Sequence, residues 1–119
     1  MPYILVLSRV IFGGYFIMSG INHLKHLDML TGYAASKKVP SPKLAVIASG
    51  VMVILGGLGV MLAILVPYSV ALIVLFLIPV TFMMHNFWAD SDKNSHMTNK
   101  ANFMKNMALL AGALAYLFV

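Results

Sequence analysis

Four long apolar stretches, at about residues 3–21, 44–65, 67–88 and 102–118, take up most of this 119-residue chain. Nothing else in the sequence restricts the fold as much. A helix needs about 20 mostly apolar residues to cross the hydrocarbon core of a bilayer, where backbone N–H and C=O groups must pair within the helix itself. With 61% hydrophobic and 9% charged residues, the chain has too few polar groups to cover a water-soluble globule. The predicted fold is all-α: a single integral-membrane domain over residues 1–119, built as a four-helix bundle with the lipid bilayer as its surroundings.

The apolar run from Tyr3 to Ser19 resembles the core of a signal peptide. No basic region precedes it, its only cation is Arg9 inside the run, and three similar stretches follow, so it is read as a span and not a leader. After it, Asn22, His23, Lys25, His26 and Asp28 bring the chain to the interface. Residues 27–36 have the pattern of a short amphipathic helix in the headgroup layer, with Leu27, Leu30 and Tyr33 toward lipid or protein. Lys37, Lys38 and Lys43, with Pro40 and Pro42, then mark a loop. Pro67 follows the second span almost at once, which predicts a tight hairpin, and Pro79 predicts a kink in the third.

The net charge of +5 is topogenic in this setting. Lys25, Lys37, Lys38 and Lys43 follow the first span, and Lys93, Lys100 and Lys105 follow the third. By the positive-inside rule, loops 22–43 and 89–101 are predicted to be cytoplasmic and both termini outside, in a multi-pass protein of the plasma or inner membrane. No nucleic-acid partner is predicted, because these lysines flank spans.

Arg9 is the costliest residue, since a buried arginine at mid-span is penalised by about 2.5–3.5 kcal/mol on insertion scales. Arg9, Gly13, Phe16, Gly20 and His23 recur at i+4 and i+3 steps and share one helical face. Two readings are open: Arg9 binds an anion or carbonyl in a bundle cavity, or it snorkels outward toward the Val119 carboxylate. At the loop-facing end, Thr81, His85 and Trp88 are predicted to share a face of the third helix, while Asn99, Asn102 and Asn106 step one turn at a time along the fourth. With Asn22 and His23 they could close a polar pocket in which His85 meets a quinone-like carbonyl, or they could serve as interhelical hydrogen-bond glue.

Other chemistries are limited by residue type. The absence of cysteine removes disulfide exchange, thiolate nucleophiles and iron–sulfur ligation. His23, His26, His85 and His96 are too loosely spaced to predict a metal site, and Trp88 reads as an interface anchor. The methionines read as soft packing. Gly50, Gly56, Gly57 and Gly59 mark a close helix contact, either within the monomer or at a homodimer seam, and no Lys-Ser/Thr follows them to suggest a phosphate loop.

Taken in order, Arg9 with Gly13 and Phe16, Gly20 leading to Lys25, Tyr33 before Val39-Pro40, Gly56-Gly57, His85-Asn86-Phe87-Trp88, and Asn102-Phe103 before Lys105-Asn106 resemble the DoxX family across essentially the whole chain. The resemblance implies a small four-helix membrane protein of prokaryotic type. Some relatives of this kind are subunits of a thiosulfate:quinone oxidoreductase, and others associate with redox-stress proteins. The family commonly carries a glutamate a few residues before the glycine pair, where this chain has Val53, so an Arg–Glu pair with Arg9 is not implied here.

Together these features predict a redox-associated membrane subunit that holds a quinone-like lipophilic ligand. At most it is an accessory subunit of a quinone-linked oxidoreductase, with Arg9, Phe16, His85, Asn102 and Asn106 as candidate ligand contacts. No intrinsic cofactor is predicted beyond a bound quinone, and electrons would come through a redox protein partner. The alternative is a non-catalytic assembly or chaperone-like membrane protein acting through helix contacts, with a homodimer through the glycine-rich second helix as one form.

Overall fold

The structure is a computed structural model and describes residues 2–119. It contains five α-helices: α1 (Pro2–Lys25), α2 (Leu27–Ser36), α3 (Pro42–Leu62), α4 (Val66–Met84) and α5 (Lys93–Ala115). Short 3-10 turns at Phe87–Ala89 and Tyr116–Phe118 follow α4 and α5. No strand occurs among the described residues, as the apolar patterning predicts. The helix α1, the helix α3 and the stretch Val66–Ala89 are each long and apolar enough to cross a membrane. Large side chains such as Ile11, Met18, Leu55 and Leu75 are exposed along their outer faces, where lipid and not water must meet them.

The helix α5 does not join that group. Its first half carries Lys93, Lys100 and Lys105 together with four asparagines, and its apolar part begins only at about Met107. It starts nine residues before the predicted fourth stretch because the Asp92 side chain caps it, accepting from the Ser95 N–H at 2.9 Å. Most of the predicted 89–101 loop is therefore helical. The loop after the first span shrinks in the same way: α1 continues through Lys25, α2 fills residues 27–36, and only His26 and residues 37–41 remain irregular.

The α1–α3 contact dominates the packing and rests on paired glycines. Gly13 and Gly20 lie seven residues apart on α1, as do Gly50 and Gly57 on α3, and the two helices meet antiparallel. A Cβ on Gly57 would sit 2.6 Å from the Gly13 carbonyl oxygen, and one on Gly50 would sit 3.2 Å from that of Gly20. Only hydrogen at these positions lets the backbones approach so closely. Gly56 and Gly59 turn the other way, against Ser69 and Ile73 of α4. All four α3 glycines thus make contacts inside the monomer.

The core runs through Phe16, Val53, Val60, Val70, Ile73, Leu77, Ala113 and Tyr116. At the end holding the termini it is closed by aromatic contacts, with the Phe12 ring 5.1 Å from Phe16 and 5.0 Å from Tyr116. The Tyr116 hydroxyl also bonds to Ser8. At the opposite end polar side chains gather.

Candidate functional site

The polar end is shaped by the way α4 stops. The sequence predicts one continuous helix face through Thr81, His85 and Trp88, but α4 ends at Met84, and His85 leaves the helix at φ −119°, ψ 38°. The ending has partners: the Tyr33 hydroxyl donates to the Met84 carbonyl at 3.1 Å, taking an acceptor that continued helix would have used. Thr81 is consequently buried while Trp88 is 57% exposed. Trp88 packs with Phe82, Phe87 and Phe103 in an aromatic cluster that fastens the 3-10 turn to α4 and α5. Pro79 sits inside α4, which runs through it without a break, so the Leu75 carbonyl loses its usual N–H donor.

Around His85 the side chains form an ordered network. Asn99 Nδ2 donates to Asp90 Oδ2 at 2.7 Å, and His85 Nδ1 lies 3.2 Å from Asn99 Oδ1. A carboxylate accepts only, so Asp90 fixes which end of the Asn99 amide is its oxygen. Lys37 Nζ donates to Asn86 Oδ1 at 2.8 Å and lies 3.8 Å from Asp90 Oδ1, the one ion pair among the described residues. Through Tyr33 and Lys37, the end of α2 is tied to the α4–α5 junction. This network was not foreseen from the sequence, which gave no register between α2 and residues 85–99.

Next to the network lies a cavity of about 240 Å3 between α1, α2, α4 and α5. Phe16, Phe76, Leu77, Val80 and Leu109 supply its apolar lining; Ser19, Asn22, His23, Tyr33, His85, Lys105 and Asn106 supply polar groups. Asn106 is only 6% exposed and lines the cavity; the buried side-chain polar atom left without a hydrogen-bond partner among the described residues is Thr31 Oγ1 on α2. Lys105 Nζ lies 5.8 Å from the Tyr15 ring, within reach of a cation–π contact. A second, almost wholly apolar cavity of about 310 Å3 lies between α2, α3 and α4. The two share His23, Leu30, Phe76, Val80 and Met84 as a common wall.

Of the candidates read from the sequence, the fold gathers Phe16, His85 and Asn106 around the first cavity. Arg9 and Asn102 do not line either cavity. Arg9 is half-buried near the far end of α1 and has no ion pair among the described residues, so the Val119 carboxylate is not its partner here. Lys105, Tyr33 and Ser19 were missed as site residues. Lys105 read as a topogenic charge and Tyr33 as an interfacial side chain, and only the docking of α2 and α5 brings them to the cavity. No three His, Asp or Glu side chains among the described residues gather closely enough to hold a metal ion.

Compared with known proteins, the chain matches the family model described as DoxX over residues 4–86. That match takes in α1 through the end of α4 and stops before α5, so it covers less of the chain than the resemblance implies. No curated protein and no solved structure matches the chain.

Proposed function

The chain belongs to the DoxX family and is an integral membrane protein, and from that premise we propose that it holds a quinone-like lipophilic ligand as a redox-associated subunit of the cell membrane. The observation that carries this reading is Asn106: a largely buried amide that lines the cavity and can donate to or accept from a ligand held there. His85 lines the same cavity from just past the end of α4, and Phe16 and Phe76 provide flat apolar walls for a ring. The adjoining 310 Å3 apolar cleft suits the ligand's hydrocarbon tail. Electrons reach the ligand from a redox protein partner at the lysine-rich end, which faces the cytoplasm by the positive-inside rule.

The assembly reading relies on the glycine-rich helix. Gly50 and Gly57 already face α1, and Gly56 and Gly59 face α4, so a partner helix or a second copy would have to use another surface.

The test is extraction in mild detergent followed by mass spectrometry of the bound lipids. A quinone should copurify with the wild-type protein and be depleted in His85→Ala and Asn106→Leu. Each variant removes about one hydrogen bond, roughly a two- to tenfold loss of affinity. Recovery of a stoichiometric protein partner with no small molecule would support the assembly reading instead.

A further inference from the structure

We propose that the cavity between α1, α2, α4 and α5 selects ligands that donate hydroxyl hydrogen bonds, so that it binds the reduced quinol in preference to the oxidised quinone. The proposal rests on the quinone-type reading above and deepens it.

The argument comes from two imidazoles whose proton positions are set by their neighbours. His23 Nδ1 lies 2.6 Å from the Ser19 backbone carbonyl oxygen. A carbonyl oxygen accepts and never donates, so Nδ1 carries the hydrogen in this bond. His85 Nδ1 lies 3.2 Å from Asn99 Oδ1, and that atom is an oxygen because the amide NH2 is committed to Asp90 Oδ2 at 2.7 Å. Nδ1 of His85 therefore carries its hydrogen too. In the neutral form of each ring, Nε2 is left with a lone pair and has no partner among the described residues. Both residues line the cavity.

Tyr33 adds to this bias. Its hydroxyl hydrogen is taken by protein acceptors, the Met84 carbonyl at 3.1 Å and Asn99 Oδ1 at 3.4 Å, which leaves its oxygen to accept. The buried Asn106 amide can serve either polarity, and Lys105 and Asn22 can donate. A carbonyl ligand would find donors in the last three but would leave both imidazole lone pairs unmatched. A ring bearing two hydroxyls matches an imidazole and still offers its oxygens to Asn106 and Lys105. Asp90 and Asn99 act here as positioning residues, since they touch His85 and not the ligand.

The experiment uses the full chain in lipid nanodiscs, with decylubiquinone and its quinol titrated under anaerobic conditions at mildly alkaline pH. The quinol should bind roughly three- to tenfold more tightly, the worth of about one net hydrogen bond. Nitrogen-15 spectra of histidine-labelled protein should show pyrrole-like Nδ1 and pyridine-like Nε2 for His23 and His85, assigned with His23→Gln and His85→Gln. Asp90→Asn releases the orientation of the Asn99 amide and should reduce the preference and mix the His85 tautomers. Lys37→Gln removes the ion pair to Asp90 while keeping the Asp90–Asn99 bond, and should leave the preference in place. Equal or tighter quinone binding, or a proton resident on His85 Nε2, overturns the proposal alone. Binding of neither form overturns it together with the reading it rests on.

Discussion

Asn106 on α5 and His85, just past the end of α4, meet at one cavity. Asn106 is buried against the cavity, whereas His85 has its Nδ1 held by Asn99. Arg9, the residue most conspicuous in the sequence, sits near the far end of α1, away from this cavity. Its cost is reduced by position, because a long side chain near a helix end can extend its guanidinium to the interface. Asp92 illustrates a residue whose chemistry is local. The Ser95 backbone N–H beside it holds its carboxyl below the usual carboxylate range. A carboxylate with a depressed folded pKa stabilises the fold above its unfolded pKa, and that contribution disappears as pH falls through the lower, folded value. The Ser95 amide resonance should therefore titrate with a midpoint below that of an ordinary aspartate, and the titration should vanish in Asp92→Asn, which can still cap. A midpoint at the ordinary value would show that the cap is not formed.

At the scale of elements, the α1–α3 pair depends on contact that no side chain could replace. Gly57→Ala would drive a Cβ to 2.6 Å from the Gly13 carbonyl oxygen and 3.1 Å from Ile17. The helices would have to separate, at a cost of about 1–3 kcal/mol by analogy with overpacked cores. Gly32 on α2 is the contrasting case. It is exposed, and a Cβ there meets nothing within 4 Å, so Gly32→Ala should stabilise by about 0.5–1 kcal/mol through the lost backbone freedom of glycine. Thermal unfolding in detergent should rank the three proteins Gly32→Ala, wild type, Gly57→Ala. A reversed order would mean that the close α1–α3 approach is not what holds the bundle.

At the scale of the whole molecule, α5 sets how many times the chain crosses the membrane. Its apolar part, from about Met107, continues into the Tyr116–Phe118 turn and packs through Ala113 and Tyr116 against the core, which places it alongside the spanning helices. We expect it to cross as the fourth span, with its lysine-bearing first half at the cytoplasmic surface. The chain lacks cysteine, so single-cysteine variants report topology without background. Lys38→Cys and Asn94→Cys should react from the cytoplasmic side, and Tyr68→Cys and Val119→Cys from the other. Labelling of position 119 from the same side as position 94 would mean that α5 lies along the surface and the chain crosses three times.

Apolar periodicity and length were sufficient to read the helical class, the membrane environment and the short helix at 27–36, because these follow from how local hydrophobicity meets lipid. The glycine pairs announced a close contact in the same way, since small residues at seven-residue spacing mark one face. Which helix each glycine would face was decided only by the folded packing, with Gly57 against α1 and Gly56 against α4. The end of α4 at Met84 likewise depended on Tyr33, 51 positions away. The cavity is a property of three-dimensional register: Phe16, His85 and Asn106 are far apart along the chain, and no local rule states that Asp90 and Asn99 will fix the proton on one of them.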